Sequence, residues 1–161
     1  MSTTLPAAGD PEPVEAELAD AVAQLSFEVM SHLTQLAAEE EVSLTQLRML
    51  AVLRDRRPRM AELAAVLGLD RSSVSGLIAR AEERGMVRRT VAEDDRRGFR
   101  VELTESGSAY AARVGGAAAS RLGVLLESLD AEGRAVLADA LRIVLQGTPA
   151  AALDRSVGDR T

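Results

Sequence analysis

With 161 residues, 47% of them hydrophobic and 27% charged, the chain is long enough to bury the core of one compact domain. No stretch approaches the roughly 18 apolar residues that a membrane span needs, so we expect a cytoplasmic protein with no membrane partner, and the absence of cysteine from the sequence excludes disulfides and thiolate metal sites. The formal net charge of −6 argues against a nucleic-acid partner unless the charges are segregated along the chain.

The two ends of the chain differ from its middle. Residues 1–12 and 147–161 have no sustained apolar period, which predicts a disordered N-terminus and a flexible tail. Residues 13–40 predict one long amphipathic helix, because apolar side chains recur at steps of three and four. This stripe consists of Leu18, Val22, Leu25, Val29 and Leu36, with His32 among them. A stripe of this length needs a partner to cover it.

A second helix is predicted after Ser43. The run Ser43-Leu44-Thr45-Gln46 has the capping-box form S-x-x-Q, in which the side chains of the first and fourth residues accept hydrogen bonds from backbone amides. This helix is expected to end near Asp55, before Arg56-Arg57-Pro58.

Residues 60–77 have the spacing of a helix-turn-helix motif, in which two short helices pack around a tight turn. Ala64 is small where the helices cross, Gly68 can adopt the positive φ of the turn, and Asp70 can cap the second helix. The predicted shared core consists of Leu63, Leu67, Leu69, Val74 and Leu77. The predicted outward face of the second helix consists of Arg71, Ser72, Ser73, Ser75, Gly76 and Arg80.

This outward face suits the major groove of DNA. The first turn of a recognition helix meets base edges, where hydroxyl and guanidinium groups form hydrogen bonds, and its backbone amides meet phosphates. The small Gly76 permits a close approach. The alternative is an ordinary helical hairpin with a polar face.

Alternating hydrophobicity over residues 86–104 predicts a two-stranded hairpin with a polar turn over residues 93–98. In a winged helix, such a hairpin lies beside the recognition helix and its tip enters the neighbouring minor groove. We expect Arg96 and Arg97 at that tip, and Arg88 on the first strand, to contact DNA. The alternative is a solvated, charged turn.

The charges are segregated as DNA binding would require. Residues 48–100 contain 13 Arg against 8 Asp or Glu, a surplus of five positive charges, so the rest of the chain carries −11. All 19 basic residues are Arg, whose planar guanidinium suits phosphates and guanine edges, although high-GC codon usage would also favour Arg over Lys.

Two further helices are predicted over residues 105–146. The first begins after Thr104, runs to about Ser128 and is weakened by Gly115-Gly116. The second begins after Asp130 and has a wide apolar face formed by Val136, Leu137, Ala140, Leu141, Val144 and Leu145.

Over nearly the whole ordered chain, the sequence resembles the MarR family of bacterial transcriptional regulators. The resemblance rests on residues 70–80 (DRSSVSGLIAR), on residues 83–89 (ERGMVRR) and on Asp95-Arg96-Arg97 followed by residues 101–107 (VELTESG). The last two segments carry the wing pattern D-x-R, then L-T-x-x-G. The predicted fold class is therefore mainly α with a small β-hairpin wing, with a winged helix-turn-helix domain over residues 43–104.

The resemblance implies an obligate homodimer in which residues 13–40 and 105–146 form the dimerisation helices. The apolar stripes agree, because they exceed what a small winged domain could cover; the alternative is burial within one chain. Such a dimer would bind double-stranded DNA at a pseudo-palindromic operator, with half-site centres about 10 bp apart. The family's usual role implies a repressor that is associated with the nucleoid.

Many members of this family bind a small aromatic or phenolic effector between the dimerisation helices and the winged domain. The polar residues expected to line such a cleft here are His32, Arg48, Tyr110 and Arg113. The structural alternatives are a hydrogen-bonded core or interface position for His32, and ion pairs for Arg48 and Arg113.

An enzyme is not expected, because the sequence has one His, no Cys, no P-loop and no zinc-ligand spacing. We therefore predict no cofactor and no metal. The competing hypothesis is a winged-helix adapter that binds proteins and does not read bases. Cations on both the recognition helix and the wing favour DNA.

Overall fold

The computed structural model describes residues 13–92 and 95–148, with side chains for residues 13–91 and 99–148. Within this part the order of elements is α1 (Pro13–Glu39), α2 (Leu44–Asp55), α3 (Met60–Leu67), α4 (Arg71–Glu83), β1 (Val87–Ala92), β2 (Asp95–Leu103), α5 (Glu105–Val124) and α6 (Ala131–Leu145). The predicted class, mainly α with a small hairpin wing, is confirmed. The predicted disordered residues 1–12 and most of the predicted tail, residues 149–161, lie outside the described residues.

Four helices begin at the capping residues that the sequence predicts. Ser43 accepts a hydrogen bond from the Gln46 amide at 3.1 Å, and the Gln46 side chain accepts one from the Ser43 amide at 2.8 Å, which completes the capping box of α2. Asp70, Thr104 and Asp130 each accept a hydrogen bond from the backbone amide three residues further on. These local bonds satisfy amides that no turn of the helix can satisfy.

The turn between α3 and α4 depends on Gly68, whose φ of 69° lies in the left-handed region. The predicted shared core forms around this turn: Leu63, Leu67, Val74 and Leu77 are buried, and Leu69 packs against them while partly exposed. Burial of these side chains fixes the angle at which α4 leaves α3 and so determines which residues of α4 face outward.

The hairpin spans the predicted residues, but its second strand begins earlier than the sequence predicts. β1 and β2 pair antiparallel from Val87 with Leu103 to Val91 with Phe99, and the register then shifts so that Ala92 pairs with Asp95. The predicted turn over residues 93–98 is therefore wrong for residues 95–98, which lie in β2; their polar composition concealed a strand that continues past an irregularity in pairing. The sequence also gave no sign that Arg59 bridges Arg100, with the Val101 amide donating to the Pro58 carbonyl at 3.0 Å.

Helix α5 connects two apolar cores. Ala111 lies in the core of the winged domain, and Val114 lies with Leu36, Ala37 and Leu47 in a smaller cluster against the end of α1. The helix runs unbroken through Gly115-Gly116 but ends at Val124, four residues before the predicted end. Beyond Gly123 the amides bond three residues back instead of four, which tightens the chain into turns.

Large apolar surfaces remain exposed on α1 and α6. None of the residues of α6, Ala131–Leu145, is buried, and buried residues of α1 are confined to Leu36 and Ala37 near its C-terminal end. The exposed large side chains of these two helices are Val14, Leu18, Val22, Leu25, Phe27, Met30, Val136, Leu141, Ile143, Val144 and Leu145. Within one chain, the stripe of α1 is buried at Leu36 near its C-terminal end, and the face of α6 is not buried.

Candidate nucleic-acid interface

The first turn of α4 is organised by the carboxylate of Asp70. The hydroxyls of Ser72 and Ser73 donate to it at 2.5 and 2.7 Å, and the Ser73 amide donates at 2.8 Å. These hydrogen bonds, that of the Ser72 hydroxyl first, lower the pKa of Asp70 well below its usual range. Because both hydroxyl protons are engaged, Ser72 and Ser73 present lone pairs outward, as acceptors for the amino groups of bases.

The outward face of α4 carries all six residues that the sequence assigns to it. Arg71, Ser72, Ser73, Ser75 and Arg80 are exposed, and Gly76 is half-buried. The opposite face is buried through Val74, Leu77, Ile78 and Ala81. A Cβ on Gly76 would lie 3.5 Å from Nη1 of Arg80, so the Arg80 guanidinium lies directly over the small residue.

The beginning of α2 lies beside this face. Ser43 and Thr45 line an open concave surface together with Ser72, Ser73, Gly76 and Arg80. The concavity therefore joins the N-terminal ends of two helices, where backbone amides favour phosphate. Ser43 was predicted as a cap, but neither Ser43 nor Thr45 was predicted to line this surface, for which the capping box was the available signal.

Of the three wing arginines that the sequence assigns to DNA, the structure describes the side chain of Arg88. The backbone of Arg96 and Arg97 lies in β2, and their side chains lie outside the described residues. Arg88 lies near the base of the hairpin, away from its tip, in register with Glu102. Its Nε donates to Glu102 Oε1 at 2.6 Å, which holds the guanidinium against the sheet.

Glu102 is a structural carboxylate that the sequence reasoning missed. Its side chain is 8% exposed and also pairs with Nε of Arg57 at 3.2 Å, so it joins the hairpin to the segment between α2 and α3. Two cations compensate for the burial of this charge. A Glu that follows three arginines of the same strand was the available sequence signal.

The four predicted effector residues do not form one cluster. Arg48 donates to the carbonyls of Leu67 and Val66 at 3.4 Å, so its structural role is to cap the end of α3 and not to form the ion pair considered from the sequence. His32 is half-buried on α1.

Tyr110 and Arg113 meet at the end of α1. Both guanidinium nitrogens Nη1 and Nη2 of Arg113 donate to the Glu40 carboxylate at 2.6 Å, and its Cζ lies 5.1 Å from the Tyr110 ring centroid. The hydrogen bond from Arg113 lowers the pKa of Glu40. Arg113 thus forms the ion pair that the structural alternative predicts.

An apolar pocket lies between α1, α2 and α5. Its walls are almost entirely aliphatic, with two guanidinium groups at the edge. The lining residues are Leu33, Leu47, Arg48, Leu50, Ala51, Arg54, Ala111, Val114, Gly115 and Ala118. Arg48 is the member of the predicted effector set that lines this pocket.

Residues 41–98 match the sequence model of the MarR family. This part of the chain is similar to the MarR family. The match spans α2, α3, α4 and most of the hairpin, which are the elements that form the concave surface and the wing.

Solved structures of MarR-family regulators have the same fold over most of this chain. MarR from E. coli in its apo form is 24% identical, with a TM-score of 0.68, over 80% of this chain and 96% of its own. A MarR-family regulator from Methanosarcina mazei Go1 is 22% identical, with a TM-score of 0.69, over 81% and 95%. NadR in complex with 4-hydroxyphenylacetate is 22% identical, with a TM-score of 0.68, over 89% and 99%. Among curated proteins, no sequence matched the chain.

The MarR-like segment L-T-x-x-G has a clear structural basis in this chain. The Thr104 hydroxyl donates to the Gly85 carbonyl at 2.6 Å and accepts from the Gly107 amide at 3.0 Å, and the Thr104 amide donates to the Met86 carbonyl at 3.0 Å. These bonds join the end of the wing, the start of α5 and the turn after α4.

Two negative findings concern the described residues. No helix within residues 13–92 and 95–148 combines the length and the apolar content needed to cross a membrane. In the same part of the chain, no group of His, Cys, Asp or Glu side chains could hold a metal ion.

Proposed function

We propose that this protein is a transcriptional regulator that binds a pseudo-palindromic DNA operator as a homodimer and represses transcription. In this proposal the protein is associated with the nucleoid. The observation that carries the proposal is the exposed face of α4, where Ser72, Ser73 and Arg80 line a concave surface at the ends of two helices. Arg71 is exposed on the first turn of the same helix. Hydroxyl acceptors and guanidinium donors on one helix face can read base edges in the major groove.

The exposed apolar helices support the homodimer. A two-fold axis would bury α1 against its copy and α6 against its copy, with the same residues contributing from both chains. In this arrangement residues 13–40 and 105–146 form the dimerisation region and residues 43–104 the DNA-binding domain, as the sequence predicts. A mutant of E. coli MarR, 24% identical to this chain with a TM-score of 0.63, was solved in complex with operator DNA, which supports the choice of ligand.

The salt dependence of binding tests the proposal. We expect affinity for a duplex to fall steeply as salt rises, because each phosphate contact releases counterions. Arg80→Ala should reduce the slope of log affinity against log salt by about 1 per protomer if Arg80 contacts phosphate. Arg71→Ala and Ser73→Ala should instead relax preference at single base positions. Fluorescence anisotropy at several salt concentrations measures both quantities.

A matched control is Arg142→Ala. This exposed arginine pairs with Asp139 on α6 at 2.6 Å, far along the chain from α4, and its removal changes net charge by the same amount. Its slope should equal that of the wild type. Flat salt dependence of the wild-type protein would contradict DNA binding and favour the adapter hypothesis, whereas equal effects of Arg80→Ala and Arg142→Ala would contradict the assignment of the site.

The apolar pocket between α1, α2 and α5 supports regulation by a small aromatic or phenolic acid. Such a ligand could bury its ring against Leu50 and Val114 and direct its carboxylate toward Arg48 or Arg54. NadR, solved with 4-hydroxyphenylacetate, makes this compound a suitable probe. Because the pocket contacts both the winged domain and α1, an occupant can shift the population of DNA-competent dimers.

Filling the pocket tests the effector proposal. We expect 4-hydroxyphenylacetate or a related phenolic acid to raise the melting temperature of the wild type, and Ala51→Leu, which places a larger side chain on the pocket wall, to abolish that rise. Ala135→Leu on α6 is the control and should retain the rise. If Ala51→Leu also retains the rise in melting temperature, the assignment of the ligand to this pocket is contradicted.

A further inference from the structure

The wing carries an exposed apolar pair that neither the helix-turn-helix motif nor the dimer explains. Val91 on β1 and Phe99 on β2 are cross-strand partners at the last regular position of the hairpin before the register shift. Their side chains are 61% and 52% exposed. Two large apolar side chains at paired positions form a small patch that water solvates poorly.

The pair continues the inner face of the hairpin beyond the edge of the core. Side chains two residues apart on a strand share a face, so Val91 lies on the same face as Val87, and Phe99 on the same face as Val101. Val87 and Val101 are 2% and 0% exposed. This face, on which Arg89 lies between Val87 and Val91, is therefore covered by the helices near the base of the hairpin and uncovered toward the tip.

No other part of the described winged domain has this property. Within residues 43–91 and 99–104, Val91 and Phe99 are the only large hydrophobic side chains that are exposed, and the remaining ones lie on α1, on α6 and at the end of α5. The pair is thus separated in the structure from the helices assigned to the dimer. Its strands carry Arg88, Arg89 and Arg100, of which Arg88 pairs with Glu102 and Arg89 with Glu82. Toward the tip, the sequence continues with Arg96 and Arg97 and with three acidic residues at 93–95.

We propose that Val91 and Phe99 form an apolar contact with the deoxyribose edges of the minor groove beside the recognition helix. This inference rests on the proposed function. β1 packs against α4, so a duplex that contacts the exposed face of α4 lies beside the wing. The walls of the minor groove are lined by sugar C–H groups, against which an aromatic ring and a Val can pack while cations contact the phosphates. The contact adds affinity that does not depend on salt and fixes how deeply the wing enters the groove.

Phe99→Ala tests the contact, because the loss of DNA affinity should be independent of salt concentration. With a labelled duplex taken from the pool that the wild type enriches from random sequence, affinity should fall roughly tenfold, because the ring no longer buries apolar surface. The slope of log affinity against log salt should stay unchanged, because no ion is released at this contact. Phe99→Leu, which retains an apolar side chain, should retain most of the affinity.

Hydroxyl-radical footprinting locates the contact, because these radicals attack deoxyribose hydrogens in the minor groove. Phe99→Ala should lose protection at the flanking sugars beside each half-site and keep protection elsewhere. The control is Phe27→Ala, the other phenylalanine of the chain, which is 74% exposed on α1. Phe27 is nine residues from Leu18, about two and a half turns, and so points away from the stripe that begins there.

Several outcomes would overturn the inference. Unchanged affinity of Phe99→Ala, or a loss of affinity with a reduced salt slope, would show that the pair makes no such contact or acts only by holding cations. A change of oligomeric state in Phe99→Ala would assign the pair to a contact between copies of the chain. Failure of the wild type to bind any duplex would overturn the proposed function itself, whereas equal binding by wild type and Phe99→Ala overturns only this inference.

Discussion

Gly107→Ala is expected to destabilise the protein by about 4 kcal/mol, near the upper end of single substitutions. A Cβ at this position would lie 2.7 Å from the carbonyl carbon of Met86 and closer still to its oxygen. The obstacle is backbone and cannot rotate away as a side chain would. Relief requires α5 to separate from the turn after α4, which breaks the bonds that Thr104 makes to Gly85 and Met86.

Denaturant unfolding at fixed protein concentration measures this loss, and Gly116→Ala provides the matched control. Gly116 lies in the same helix, and its Cβ would meet nothing within 4 Å. We expect Gly116→Ala to leave stability unchanged or to raise it by up to about 1 kcal/mol, because alanine favours a helix more than glycine does. Similar effects of the two substitutions would contradict the close approach of α5 to Met86.

Val144→Glu is expected to dissociate the dimer and to lower affinity for a two-half-site duplex by at least about 100-fold, because an unpaired charge would be buried in each copy of the interface. Val144 is 68% exposed in one chain and lies in the middle of the apolar face of α6. Both copies carry the substitution, so an isologous interface acquires two like charges. Sedimentation or light scattering measures the mass, and anisotropy measures DNA binding.

Ala135→Glu controls for the added charge. Ala135 is exposed and lies nine residues before Val144 on the same helix, about two and a half turns, and therefore on the opposite side. This variant should remain a dimer with wild-type affinity for DNA. A monomeric wild type, or a dimeric Val144→Glu with wild-type affinity, would contradict the assignment of α6 to the interface.

Features that depend on local sequence could be predicted. The capping residues Ser43, Asp70, Thr104 and Asp130 act on amides within three residues of themselves, so spacing alone locates the helix starts. The left-handed turn at Gly68 is likewise local. The outward face of α4 followed from the period of its apolar residues, because the buried side determines the exposed side.

Features that depend on contacts distant in sequence could not be predicted. Glu102 on β2 pairs with Arg57 in the segment between α2 and α3. Arg48 on α2 caps the end of α3 through the Leu67 carbonyl. Both contacts depend on how separate elements pack in the folded chain. The strand character of residues 95–98 was concealed by their charge, because polarity is typical of turns as well as of exposed strands. The position of Thr45 on the concave surface could not be predicted, because it depends on how α2 lies beside α4.

Selection of bound sequences from random duplexes with the purified wild-type protein tests the central claim most directly. We expect enrichment of a two-fold motif whose half-site centres lie about 10 bp apart, because a symmetric dimer places its two recognition helices one DNA turn apart. Enrichment of a single unpaired half-site would contradict binding of DNA by a homodimer. No enrichment at all would contradict base reading by α4.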